Sequence, residues 1–104
     1  MHMLGLILPA TAAFVLVASE AQAADARHGL DLAKRWCAAC HIVAADQRSG
    51  SADVPPFSAM AKAPDFNAQR LVYFLLDPHP KMPELPLSRA AADDIAAYIQ
   101  SLKE

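Results

Sequence analysis

The sequence predicts an all-α protein of three to five short helices gathered around one covalently held group. Three observations carry that expectation. Apolar residues recur at helical spacing, most clearly as Ile95, Tyr98, Ile99 and Leu102 at i, i+3, i+4 and i+7. Few segments show the period-two alternation of a strand. Third, a small chain carries its two cysteines three positions apart with a histidine directly after, as Cys37-Ala38-Ala39-Cys40-His41.

The chain starts with a segment of different character. Residues 3–18 are almost unbroken apolar sequence, followed by Ser19-Glu20 and Ala21-Gln22-Ala23. An apolar run closed by small residues is the pattern of a secretory signal peptide. A spanning helix needs about 20 apolar residues, and this run is shorter and contains Pro9. The region before it has no Lys or Arg, only His2, which is atypical of such signals. The sequence thus divides into residues 1–23, a cleaved signal, and residues 24–104, one domain. The mature protein is expected outside the cytoplasm, with no stable membrane insertion after cleavage.

Without the leader the composition reads differently. The 55% hydrophobic content is inflated by it. Glu20 is its only charged side chain, so the formal charge moves from -2 to -1 on cleavage. There is no basic surplus for nucleic acid and no run of one charge sign. About 81 residues remain, enough for one domain with a thin core that benefits from a staple.

Each helix has local support. Residues 25–40 are rich in Ala, Leu, Lys and Arg, which are good helix formers. Gly29 and Ala33 share a face there and allow close approach of a second helix. Residues 44–54 are polar around Gln47-Arg48-Ser49-Gly50-Ser51 and read as a solvated loop. Pro55-Pro56 imposes extended backbone, and residues 57–63 form a short helix stopped by Pro64. Asn67 is the N-cap of a helix over residues 68–76, with Phe66 and Leu71 placed as a hydrophobic staple and Leu71, Phe74 and Leu75 as its apolar stripe. Pro78, Pro80, Pro83 and Pro86 stiffen the next loop. Ser88 caps a last helix that runs to Leu102, with Asp93 and Asp94 in its first half and Lys103 at its end.

The cysteine cluster carries the chemistry. Two thiols at this spacing with His next in sequence form the attachment signature of a c-type haem. Each thiol adds to one porphyrin vinyl group, and His41 supplies a nitrogen ligand to the iron. A thioredoxin-like dithiol would need strand-helix alternation around the motif. A zinc site would need a second ligand pair, whereas His2, His28 and His79 are scattered singly. For the opposite face of the iron, Met82 in Pro80-Lys81-Met82-Pro83 is the preferred ligand. Its flanking prolines lower the entropy cost of holding the sulfur. Met60, in a short apolar helix, and His79, in the same loop as Met82, are the alternatives. His28 reads as a surface residue.

Taken in order, these elements resemble the class I single-haem c-type cytochromes of bacteria. The resemblance runs from Gly29 through the Cys37–His41 motif, Pro55-Pro56-Phe57 and the Met82 loop to Tyr98 in the terminal helix. It implies a small cytochrome c fold whose first and last helices cross, with Gly29 packed against Tyr98. It also implies that a proline carbonyl, Pro55 or else Pro56, accepts a hydrogen bond from the iron-bound His41. Ala33 stands where many members carry a larger aromatic residue.

The function this implies is that of a periplasmic electron carrier, not an enzyme, with one covalent haem c held by Cys37 and Cys40 and ligated by His41 and Met82. Its partners would be other redox proteins, such as an oxidase, reductase or dehydrogenase, and the chain would be a monomer. Lys34, Arg35, Lys62 and Lys81 either ring the haem edge and steer acidic partners or are ordinary solvated charges. Two other functions remain open at this stage. One is a haem enzyme or gas-binding cytochrome with an open or displaceable iron position. The other is a thiol-disulfide oxidoreductase without haem.

Overall fold

Asp25 starts the first helix, α1 (Ala26–Trp36), by accepting the His28 N–H on its carboxylate at 3.1 Å. A computed structural model of the chain describes residues 5, 9–14, 23–77 and 82–103. Most of the predicted signal segment therefore lies outside the described residues, as do His79, Lys81 and the prolines at 78 and 80. The sequence reading carried the first helix through Cys40, but α1 ends at Trp36. The Ala33 carbonyl takes the N–H of both Cys37 (2.9 Å) and Ala38 (3.1 Å), which closes the helical ladder on one acceptor. Residues 37–40 then form a turn instead of a further helical turn.

Three more helices follow: α2 (Phe57–Lys62), α3 (Ala68–Leu76) and α4 (Arg89–Ser101). Among the described residues there is no strand. The protein is all-α, a small cytochrome c-like arrangement of short helices. Asn67 and Ser88 cap α3 and α4, accepting from Arg70 N–H at 2.9 Å and Ala91 N–H at 3.0 Å. The α3 stripe differs from the expected one. Val72 and Leu75 are buried and Leu71 half-buried, while Phe74 is exposed. The cause is the docking of α3 on α4, which takes the 72/75 edge of the helix inward. On its outer side, the Arg89 guanidinium lies 5.2 Å from the centre of the Tyr73 ring.

The largest interhelical contact joins α1 to α4. Ala33, Ala92 and Ile95 are fully buried between the elements, and Tyr98 and Ile99 nearly so. The small side chain at position 33 is part of this core and lets the two helices approach. At one end of the crossing Asp94 ties the helices together. Its Oδ1 accepts the Asp25 N–H at 2.8 Å, and its Oδ2 lies 2.7 Å from His28 Nδ1. His28 is thus on the surface but tied to α4. Asp93 makes only an exposed i,i+4 pair with Arg89 at 3.7 Å, a geometry that contributes little. Lys103 lies beyond the end of α4.

Tyr98 joins this crossing to the loop after the cysteine motif, because its hydroxyl donates to the Val43 carbonyl. Burial, and secondarily the charge of Asp46, raises the Tyr98 pKa above its ordinary value of 10.0. A folded-state pKa above the unfolded one means that the neutral phenol's contribution is complete below about pH 10 and is lost as pH rises through the folded value. Tyr98→Phe is expected to cost about 1–2 kcal/mol at pH 7. It should also lose less further stability above pH 10 than the parent does. Denaturant titrations at pH 7 and pH 11 measure both, and equal alkaline losses in the two proteins would remove Tyr98 as the source.

Candidate haem site

The turn after α1 presents the two cysteines differently. Cys37 caps the helix and is buried, while Cys40 is exposed, and both thiols are free. The Cys37 carbonyl accepts the N–H of Cys40 (3.2 Å) and of His41 (2.9 Å), so motif and histidine form one hydrogen-bonded turn. Ser51 N–H donates to the Cys40 carbonyl at 2.7 Å, and Phe57 N–H to the Ile42 carbonyl at 2.9 Å. These two bonds hold the following loop and the start of α2 against the turn.

His41 is fixed on several sides. Its Nδ1 lies 2.7 Å from the Pro55 carbonyl. A carbonyl only accepts, so Nδ1 carries the proton, and the lone pair of Nε2 is left for a metal. The Phe57 ring packs beside the imidazole, with ring centres 5.2 Å apart and planes tilted by 46°. Pro55, not Pro56, makes the contact to the ring. Pro56 instead caps α2, with its carbonyl accepting from Ala59 and Met60.

Gln47, in a segment whose polar composition predicts a solvated loop, also belongs here. Gln47 Nε2 lies 2.8 Å from the His41 carbonyl, 3.0 Å from that of Ala38 and 2.9 Å from that of Ser49. Its Oε1 accepts the Val43 N–H at 2.9 Å. Its polar neighbours in sequence masked this role, and no periodicity or motif marked it.

Met82 and Met60 are both half-buried against the core. Lys34, Arg35 and Lys62 are exposed, and Lys81 lies outside the described residues. Trp36 and Ile42, which bracket the motif, are 40% and 37% exposed, as partly are Phe74 and Leu76 on α3. Apolar side chains of this size left at a surface suit an apolar ligand that covers them. Two free thiols three positions apart, an imidazole with Nε2 unspent and the exposed apolar Trp36 and Ile42 on either side of the motif together fit a covalently attached haem. The Cys37 thiol is pushed up to about 11 by burial, which leaves it protonated near neutral pH and unsuited to act as a thiolate nucleophile.

An all-α domain with this turn at the end of its first helix defines a c-type haem protein. Over 103 residues, 99% of this chain and 97% of the relative, the sequence is 57% identical to cytochrome c-552 of Bradyrhizobium diazoefficiens. The chain belongs to the class I c-type cytochromes, and its cofactor is covalent haem c. No protein-family model and no solved structure matches it.

Proposed function

We propose that this protein is a periplasmic electron carrier with one haem c. Cys37 and Cys40 form the thioethers, His41 and Met82 ligate the iron, and Pro55 orients His41. The observation that carries this reading is the commitment of His41 Nδ1 to the Pro55 carbonyl, directly beside the two thiols. It leaves Nε2 as the ligating nitrogen and raises its basicity. The haem supplies reversible one-electron chemistry at its iron. The protein's part is to hold both ligands in place and keep the iron closed to substrates. His41 is held by the turn, by Pro55 and by Phe57. Met82 packs against the core beside a proline, which favours a fixed thioether over an open coordination position. Full-length similarity to a cytochrome c-552 supports the same role, with electrons exchanged with other redox proteins through weak docking.

Absorption spectra of the purified protein, oxidised and reduced, test the reading. A low-spin c-type spectrum with the weak sulfur-to-iron band is expected, and Met82→Ala should lose that band. Survival of the band would move the ligand to Met60. A high-spin spectrum with ready carbon monoxide binding would instead indicate a gas-binding or catalytic haem. The same purified protein reports on export. Its first residue should be Ala24, and an intact Met1 would overturn the cleaved leader.

A further inference from the structure

We infer that Gln47 is a positioning residue for the iron ligand, holding His41 from its backbone side while Pro55 holds it from its ring. This inference rests on the reading of His41 as an iron ligand. The Gln47 amide has two protons and three carbonyls within 3.0 Å: those of His41, Ala38 and Ser49. Two of these belong to the haem motif and its histidine. The fourth contact, from Val43 N–H to Oε1, ties the same side chain to the loop segment that Tyr98 anchors to α4. One half-buried side chain therefore joins three points: the turn that carries the thiols, the histidine backbone, and the segment fixed to the terminal helix crossing.

The backbone of His41 sets where its ring starts, and the Pro55 bond sets how the ring turns. Only the ring bond was legible as a control on ligand orientation. A backbone carbonyl left without its donor can rotate toward water, and the imidazole would follow it by fractions of an ångström. The Gln47 N–H groups also offset the negative ends of the Ala38 and His41 carbonyl dipoles in the turn that would hold the haem. Without them the more positive, oxidised iron is favoured, and the reduction potential falls.

The test uses the haem-loaded protein. In the oxidised parent, the Gln47 side-chain protons should exchange with solvent at least about tenfold more slowly than those of the exposed Gln69 and Gln100. Gln47→Met fills the same space without donors. It should keep the c-type spectrum, lower the potential and change the spread of haem-methyl proton shifts, which reports ligand orientation. Gln47→Glu keeps an acceptor for Val43 N–H and loses the donors, so its haem-methyl pattern should also depart from the parent's. A lowered melting temperature in Gln47→Met with potential and methyl pattern unchanged would reduce Gln47 to a structural side chain and overturn the inference. So would a parent-like pattern in Gln47→Glu, or Gln47 protons that exchange as fast as those of Gln69. That last result needs no variant to accumulate. A parent without a c-type spectrum would remove the underlying reading before any variant is made.

Discussion

Gly29→Ala is expected to be the most damaging single-methyl change in this protein. A Cβ at position 29 would stand 1.9 Å from the Asp94 carbonyl oxygen and 2.5 Å from its carbon, with Tyr98 Cβ at 2.9 Å. The first two are backbone atoms of α4, so no rotamer change relieves the overlap. Either α1 and α4 separate or α1 rotates, and both moves pull on Ala33 and Ile95, which are fully buried at the crossing. Asp94 is also the residue that ties Asp25 and His28 across the helices, so the same displacement strains those bonds. Inserting atoms into a packed core costs about 1–3 kcal/mol, and a backbone clash belongs at or above the top of that range. The expected result is a collapse in the yield of haem-loaded protein. Material that survives should show an unfolding free energy lowered by about 3 kcal/mol or more in denaturant titration. Gly50→Ala is a suitable control. Its Cβ would meet Cys40 O and Ile42 Cγ1 at 3.0 Å, an overlap that shifts of a few tenths of an ångström relieve. If both variants melt alike, the helix crossing is not the sensitive joint.

Composition at helical spacing showed that Gly29 and Ala33 would let another helix approach, while the crossing with the last helix and the pairing of Gly29 with Tyr98 came from the family resemblance. The caps Asn67 and Ser88 announced α3 and α4 to within a residue. Helix ends set by bonds beyond the local sequence were less legible. Nothing in residues 33–40 states that one carbonyl will take two N–H groups and stop α1 at Trp36. The same holds for side chains whose partners come from another part of the chain. His28 and Asp94 are 66 positions apart, and neither has a periodic signature that pairs them. At the haem site, the five-residue motif was plain because its chemistry is local and covalent. The choice between Pro55 and Pro56 depended on loop geometry. Gln47 escaped notice because a glutamine among Asp, Arg and Ser reads as solvent-facing until its amide is seen among three carbonyls.

His41→Ala should have the largest effect on the chemistry, larger than Met82→Ala, and the difference follows from how each side chain is held. His41 sits in a turn closed by the Cys37 carbonyl, with its ring on Pro55 and its edge on Phe57. Truncation removes the proposed nitrogen ligand, leaves the Pro55 carbonyl without its donor and opens a space beside the buried Phe57. Loss of a partner that merely orients a metal ligand costs about 10–100-fold in metal binding or activity, and loss of the ligand itself should cost at least as much. The expected outcome is a drop of that order in holoprotein yield, with the remaining haem high-spin. Added imidazole should restore a low-spin spectrum, because the vacated space has the shape of the ring and the Pro55 carbonyl still accepts from it. Met82→Ala should keep the haem attached, since the proposed attachment residues Cys37 and Cys40 and the proposed ligand His41 are untouched, and lose only the sulfur-to-iron band. A His41→Ala protein that stays low-spin with that band intact would show that the nitrogen ligand lies elsewhere. The ordering of the two variants therefore tests whether the rigid side of the iron is the one built on the cysteine turn.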